Sequence, residues 1–203
     1  HPEALSTCVL QRGYARAYLE LHIEQGPVLE SLGRPIGVVT AIAAPTRGIV
    51  TVRGQAAHSG ATPMRLRRDA LTAAAEAVLG LERIAREEAA QGTVATVGIL
   101  EVRPGALNTI PGEAQFTADI RSADAASKRR AVGAFRGLLD RLARERGVAV
   151  DFVATADNEP VLMAPAIVET VDRACRDLGI VPHYMPSGGG HDAQEVALYA
   201  DAG

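Results

Sequence analysis

The sequence of 203 residues contains only two cysteines, no tryptophan and no apolar run long enough to cross a membrane. Cys8 and Cys175 form no Cys-x-x-Cys pair, so we expect two inert thiols in a reduced, cytoplasmic setting. No signal peptide is evident, and no basic stripe is interleaved with aromatic residues. These absences disfavour disulfide-stabilised secreted proteins, membrane proteins and nucleic-acid-binding proteins.

The length and the two ends of the chain indicate part of a larger protein. The chain is long enough to bury a core, divided over two units. It starts at His1 without a methionine and stops at Gly203, soon after an apolar, helix-like run. We therefore expect a piece of a longer protein.

The stretch from Tyr18 to Pro27 is predicted to be a strand followed by a turn. Leucine and isoleucine alternate with polar residues up to Glu24, which is the period of a strand with two unlike faces. Pro27 then suits the first position of a short helix that Gly33 ends. His22 and Gln25 would lie near the carboxyl end of the strand, where α/β sheets place their sites. The strand pattern alone favours a half-buried structural histidine at position 22, because a lone histidine is weak evidence for a metal.

The middle of the chain has the element order of a ferredoxin-like βαββαβ unit. Strands are predicted from alternating or continuous apolar residues, and helices from apolar residues at helical spacing. A strand at 36–43 and a hinge at 45–48 come before this unit. The unit itself comprises a strand at 49–54, a helix from Asp69 to about Ala90, strands at 93–102 and 115–120, a helix at 124–146 and a strand at 148–154.

The last part of the chain is predicted to return to the first unit. A helix at 166–178 comes before the glycine-rich turn 187–190, and another helix begins near Gln194. The fold class is therefore α/β (α+β), with residues 46–158 inserted between flanks at 1–45 and 159–203. Peptide N–H groups of the glycine-rich turn near the start of a helix would form a cradle for an anion.

Three polar side chains of the inserted unit are candidates for a site. His58 lies on a turn of small residues, where it can also be a solvated loop histidine. Asn108 lies in a turn before a strand, where asparagine commonly bonds local backbone. Arg121 ends the strand Asp-Ile-Arg-Ser and can equally be a surface or ion-pair residue.

The short sequence motifs around these candidate residues together resemble those of the bimetal amidohydrolases that cleave N-carbamoyl-L-amino acids, ureidopropionate and allantoate. The resemblance extends over residues 17–198. The strings His-Ser-Gly-Ala-Thr-Pro-Met at 58–64 and Gly-Gly-Gly-His-Asp-Ala at 188–193 carry it most specifically, although the family usually has alanine in place of one glycine. The resemblance implies that the flanks form part of an α/β metallohydrolase domain and that the insert is a lid through which a homodimer forms.

The resemblance also implies roles for single residues. His22 would be a metal ligand, and His58 would reach across the dimer to stabilise a tetrahedral oxyanion. Arg121 would grip the substrate carboxylate with its planar fork. The other substrate-binding residues would be Gln25, Asn108, Gly189, Gly190 and His191.

Two divalent cations, of zinc, manganese, cobalt or nickel, are implied as cofactors that activate a water molecule. The family's other metal ligands and its catalytic glutamate would lie before His1 and after Gly203, so we expect the fragment alone to be inactive. The only adjacent glutamate pair, Glu87 and Glu88, looks like a solvated helix face and is not assigned catalysis.

Two other functions remain open. Related dinuclear-metal dipeptidases and deacylases share the architecture, although His191 and the string around His58 favour the carbamoyl-cleaving enzymes. The chain could also be a non-catalytic dimerising fragment. The sequence does not decide which ureido substrate or which metal is preferred.

Overall fold

The structure is a computed structural model that describes residue 11 and residues 13–203. The chain divides into two compact units, one of His1–Ala44 with Pro160–Gly203 and one of Pro45–Glu159. These bounds lie one residue from those expected from the sequence. Cys8 and most of the segment before Ala17 lie outside the described residues, and Cys175 is a buried free thiol.

The helices and strands follow one another in the order below, with short 3-10 helices at Met64–Leu66 and Ala89–Gln91. They are β1 (Ala17–Tyr18), α1 (Val28–Leu32), β2 (Gly37–Ile42), β3 (Ala44–Arg53), β4 (Ala57–His58), α2 (Ala70–Glu87), β5 (Val94–Thr96), β6 (Leu100–Arg103), β7 (Thr109–Ile110), β8 (Glu113–Ser122), α3 (Ala125–Arg146), β9 (Ala149–Asp157), β10 (Val161–Leu162), α4 (Pro165–Asp177), β11 (His183–Ser187), α5 (Asp192–Val196) and β12 (Asp201–Ala202).

The first unit is built on a small mixed sheet. Strand β2 lies between β10, which is antiparallel to it, and β11, which is parallel. The apolar run predicted as a strand at 36–43 is confirmed as β2, and Ile42 packs in a core with Met163, Ala193 and Ala202. The parallel connection from β2 to β11 includes helix α4, which packs on β2.

The long first strand predicted up to Glu24 is wrong. Only Ala17 and Tyr18 pair with β12, and the ladder ends with the hydrogen bond from Glu20 N to the Gly203 carbonyl (3.0 Å). In the described residues no strand pairs with 21–24, and the side chains of Leu21 and Ile23 are 93% and 75% exposed. The alternating pattern therefore lacks the neighbouring backbone that a strand requires.

Helix α1 starts and ends through local contacts. The Glu24 carboxylate accepts hydrogen bonds from Val28 N (2.7 Å) and Leu29 N (2.9 Å), which satisfies amides of the first turn. Pro27 is the N-cap residue, one position earlier than expected, and Gly33 ends the helix with a φ of 60°, as predicted.

The second unit has the predicted ferredoxin-like fold. Its sheet has the order β5-β8-β3-β9, and β6 also pairs with β8. Helices α2 and α3 pack together on one face of the sheet, over a core that includes Phe116, Phe135 and Leu81. The two helices approach closely at Gly80, where a Cβ would lie 2.2 Å from Leu138 Cδ2.

Two details of the second unit differ from the prediction. The strand expected at 93–102 is split into β5 and β6, because the pairing with β8 shifts by one residue between Thr96–Asp119 and Leu100–Phe116. Between them, the Ile99 amide bonds the Thr117 hydroxyl (3.2 Å). The hinge expected at 45–48 is part of β3 instead. A Cβ at Gly48 would lie 2.4 Å from Phe152 Cε2, so the glycine allows β9 to pack closely there.

The ends of the long helices follow the sequence signals. Asp69 accepts from Leu71 N (2.9 Å) and Thr72 N (3.1 Å) at the start of α2, and Asp124 accepts from Ser127 N (2.6 Å) at the start of α3. Gly147 ends α3 with a φ of 61°. Of the helices in the described residues, none has the length and apolar character that a membrane span requires.

Candidate functional site

His22 and His191 meet in the first unit. Their rings stack with centroids 4.5 Å apart and planes at 7°. His22 Nδ1 lies 2.6 Å from the Ile23 carbonyl oxygen and donates to it, because a carbonyl can only accept. The lone pair of a neutral His22 ring is then on Nε2, and a carbonyl-bound partner nitrogen of this kind is the usual arrangement of a metal-binding histidine.

The ring of His191 is fixed by Ser187. The Ser187 hydroxyl donates to the Gly189 carbonyl (3.1 Å), so His191 Nε2, 2.5 Å from the same hydroxyl oxygen, is the donor of that second bond. Burial, and after it the charge of the nearby His22, lowers the pKa of His191 against an opposing effect of Glu20. The ring is therefore mainly neutral at neutral pH.

Gln25 lies against the glycine-rich turn. It has a φ of 58°, which is unusual for a residue other than glycine. A Cβ at Gly189 would lie 2.6 Å from Gln25 Oε1, whereas a Cβ at Gly190 would meet its nearest neighbour, Gln194 Oε1, at 3.5 Å. Position 189 must lack a side chain for Gln25 to approach in this way.

The predicted anion cradle at the start of α5 is partly filled by the protein itself. Glu20 Oε2 accepts a hydrogen bond from Ala193 N (2.8 Å), and Gln194 N donates to the His191 carbonyl (3.1 Å). Glu20 could not be identified from the sequence, because its partner Ala193 lies 173 residues later.

His58 and Asn108 are brought together in the second unit. Strands β4 and β7 are antiparallel, with His58 opposite Thr109, and Ser59 N donates to the Asn108 carbonyl (3.0 Å). His58 Nδ1 accepts from Gly60 N (3.1 Å) and Ala61 N (3.2 Å). The ring hydrogen is therefore on Nε2, and the exposed imidazole is a neutral donor.

Arg67 stabilises the loop that contains His58. Its Nε donates to the Thr62 carbonyl (3.0 Å) and its Nη2 to the Ser59 carbonyl (2.5 Å). Although Arg67 follows the string around His58, nothing in the sequence indicated which carbonyl groups it binds.

Arg121 forms an ion pair on β8. Its Nε and Nη2 donate to Asp119 Oδ1 (3.0 Å) and Oδ2 (2.8 Å), and Arg47 Nε donates to Asp119 Oδ2 (3.0 Å). Partial burial of Asp119 acts to raise its pKa, but the hydrogen bonds from Arg121 and Arg47 together outweigh it and hold the pKa below its ordinary value. The same pairing raises the pKa of Arg121.

The adjacent glutamates differ from each other. Glu87 is exposed, as expected of a solvated helix face, but that expectation is wrong for Glu88, whose side chain is 18% exposed. Arg130 donates to Glu88 twice (2.9 and 2.6 Å) and the Ser127 hydroxyl once (2.7 Å). The bonds from Arg130, and then that from Ser127, lower the pKa of Glu88 to about 2. Glu88 thus ties α2 to α3.

The candidate residues form separate groups, each within one unit. The first unit gathers His22, Gln25, Gly189, Gly190 and His191, and the second gathers His58 with Asn108, with Arg121 on its sheet. A group of three or more histidine, cysteine, aspartate or glutamate residues able to hold a metal ion does not occur in the part of the chain that the structure describes.

The chain is similar to known proteins over nearly its whole length. The chain is 41% identical over 202 residues to the N-carbamoyl-L-amino-acid amidohydrolase of Paenarthrobacter aurescens, covering 100% of this chain and 49% of that protein. It is 39% identical over 196 residues to the N-carbamoyl-L-amino acid amidohydrolase of Geobacillus stearothermophilus, covering 97% and 47%. The chain thus spans about half the length of the curated relatives it matches.

A crystal structure of a putative amidohydrolase/peptidase from Burkholderia cenocepacia has the same fold, with a TM-score of 0.89 and 42% identity. The match covers 94% of this chain and 47% of that one. The profile described as "Peptidase dimerisation domain" matches residues 46–147. These residues lie within the second unit, and the chain belongs to the peptidase dimerisation domain family.

Proposed function

We propose that this chain is part of a metal-dependent amidohydrolase that cleaves a carbamoyl or ureido C–N bond next to an amino-acid-like carboxylate. Its substrates would be N-carbamoyl-L-amino acids, ureidopropionate or allantoate. The similarity to N-carbamoyl-L-amino acid amidohydrolases supports this reaction class. The observation in the structure that carries the proposal is His58, a neutral imidazole whose hydrogen is on Nε2.

The His58 donor suits a reaction that passes through a tetrahedral oxyanion. The two backbone amides on Nδ1 fix the tautomer, and Arg67 braces the loop, so little reorganisation is needed when charge develops on the substrate oxygen. A preorganised donor acts in the transition state more than in the ground state, which is the condition for raising kcat.

His22 fits the role of one metal ligand. Its Nδ1 bond to the Ile23 carbonyl leaves Nε2 to bind a cation. Two divalent cations of zinc, manganese, cobalt or nickel would supply an activated water and polarise the substrate when bound. The described residues offer no complete ligand set, so the other ligands must come from elsewhere in the full-length protein.

The remaining candidate residues would hold the substrate. Arg121 would bind its carboxylate. The groups that would line the rest of the site are Gln25, Asn108, Gly189, Gly190 and His191. The neutral, Ser187-bound His191 ring can accept a hydrogen bond through Nδ1, which suits an amide or ureido N–H of the substrate.

The proposal includes a homodimer that forms through the second unit. Strands β5 and β6 pair with β8 on one side, and in the described residues no strand pairs with their other side. Val94 on this edge is 57% exposed, and Leu79 on α2 is 66% exposed. An open edge with apolar neighbours suits pairing with a second copy about a two-fold axis. A monomer in light scattering at about 50 μM would argue against it.

A substrate panel tests the reaction class. The full-length protein carrying this chain, supplied with divalent metal, should hydrolyse an N-carbamoyl-L-amino acid faster than the matching N-acetyl amino acid or dipeptide. Faster cleavage of the dipeptide or the N-acetyl compound would identify a dipeptidase or deacylase instead. The chain alone should be inactive, and inactivity of the full-length protein as well would favour a non-catalytic role. The cytoplasmic location stays a prediction.

A further inference from the structure

Asp119 binds two arginines on the face of the second unit's sheet that lies opposite the helices. Ala118 and Ile120 are buried under the helices, so Asp119 and Arg121, which alternate with them, lie on the other face. Arg47 reaches the same carboxylate from the neighbouring strand β3. We call these three residues the Arg47–Asp119–Arg121 cluster.

The contact between Asp119 and Arg121 fixes the plane of the guanidinium group. Two parallel hydrogen bonds, of 3.0 and 2.8 Å, join the two groups in the fork geometry. Both residues are on one rigid strand, two positions apart, so the pair forms without help from a mobile loop. Arg121 is held in one orientation before any ligand arrives.

Arg47 shares the charge of Asp119. Its Nε donates to Oδ2, the oxygen that also accepts from Arg121 Nη2. If Asp119 interacted with Arg121 alone, its whole negative charge would oppose the approach of a substrate carboxylate. Because Arg47 binds the same oxygen, part of that repulsion is offset.

The backbone is irregular beside Arg47. The register of β3 and β9 shifts between Arg47 and Gly48, so that Thr155 of β9 is an extra residue. The Thr155 hydroxyl donates to the Arg47 carbonyl (3.4 Å). Such a bulge bends the strand that contains it, here β9, beside Arg47. The pairing opposite Arg53, the other arginine of β3, is regular.

We propose that Asp119 is the positioning residue of Arg121 and that Arg47 is a second cation for recognition of the substrate carboxylate. This inference rests on the proposed role of Arg121. It predicts that two residues with no assigned substrate contact determine selectivity for acids over neutral analogues.

Arg53 and Glu113 provide matched controls. Arg53 is on the same strand and face as Arg47, similarly exposed, and pairs with Glu113 at 3.5 Å, six positions before Asp119 on β8. In the full-length enzyme, kcat and KM would be measured for an N-carbamoyl amino acid and for its uncharged amide. The variants are Arg47→Met, Arg47→Lys and Asp119→Asn, with Arg53→Met and Glu113→Gln as controls.

Arg47→Met should raise KM for the acid about five- to tenfold, the effect of one unit charge about 8 Å away at an effective dielectric constant of about 30–40. Values for the amide should not change, and Arg47→Lys should restore part of the preference. Asp119→Asn should also reduce the preference for the acid, although it removes a negative charge, because the guanidinium is no longer held.

The outcomes separate this inference from the proposed function. If Asp119→Asn strengthens the preference for the acid, Asp119 acts only by its charge and the positioning role is refuted. If Arg47→Met behaves like Arg53→Met while the wild type prefers the acid, the inference fails and the proposed function stands. A wild type that hydrolyses both substrates equally well overturns the role of Arg121 and this inference together.

Discussion

Replacing Lys128 with methionine should leave the second unit almost as stable as the wild type, whereas replacing its partner Asp157 should not. The side chain of Lys128 is 2% exposed, and its Nζ donates to Asp157 Oδ1 (3.2 Å) and to the Asn158 carbonyl. Asp157, whose side chain is 65% exposed, also accepts from the Thr46 hydroxyl (2.6 Å). The pair joins the start of α3 to the strands at which the unit begins and ends.

The two substitutions leave different groups without a partner. Lys128→Met keeps the length of the side chain and removes a buried charge. The Asp157 carboxylate that remains is mostly hydrated and still bonded to Thr46, and Asn158, whose carbonyl also loses its donor, is exposed. The change should therefore cost no more than about 1 kcal/mol. Asp157→Asn leaves the buried ammonium without its counter-ion. Such a loss costs about 3–5 kcal/mol for a fully buried pair, and we expect about 2 kcal/mol because water can reach position 157.

The assay must report on the second unit alone. The chain has no tryptophan, and its four tyrosines, at positions 14, 18, 184 and 199, all lie in the first unit. We would therefore measure hydrogen exchange of α3 amides, such as that of Leu139, at increasing guanidinium concentrations. The double variant should be more stable than Asp157→Asn alone. If Lys128→Met destabilises the unit as much as Asp157→Asn does, the buried ion pair itself stabilises the fold and this reasoning is refuted.

Three further predictions follow from the site and its surroundings. Because the pKa of Glu88 is lowered to about 2, Glu88→Gln should destabilise the chain at neutral pH. The difference in stability between the wild type and the variant should disappear as pH falls from about 4.5 to 2. A difference in guanidinium midpoint that stays constant down to about pH 2 would contradict this. Under the proposed function, His58→Ala in the full-length protein should lower kcat about 10²–10³-fold with little change in KM. Comparable impairment of kcat and KM would point to a structural role. Gly189→Ala should raise KM by displacing Gln25 without lowering the melting temperature, whereas the control Gly190→Ala should change neither. Identical behaviour of the two variants would show that the contact between Gly189 and Gln25 has no role in substrate binding.

The sequence predicted those parts of the fold in which local signals and packing agree. Helix α3, expected at 124–146, extends over Ala125–Arg146, because the Asp124 side-chain cap and the left-handed Gly147 that bound it are local features. The two-faced pattern of β8 also gave the correct strand, since α2 and α3 cover one of its faces. The residues that determine such elements lie within them or directly beside them.

The prediction failed where a distant partner decides the local structure. The stretch from Leu19 to Glu24 has a strand pattern but no neighbouring strand among the described residues. Glu88 looked solvated because its partners Ser127 and Arg130 lie 39 and 42 residues later. Apolar periodicity cannot identify a buried polar group whose hydrogen bonds come from another element.

The same distinction applies to the candidate site. His22, His58 and Arg121 could be selected from sequence because each stands in a short string that resembles a known family. The groups that orient them could not. His58 depends on amides of a loop whose shape Arg67 maintains, and Arg121 depends on Asp119, whose charge is shared with a residue 72 positions earlier. A substitution at such a supporting residue leaves every recognised string intact, so its effect on activity follows only from the contacts in the folded chain.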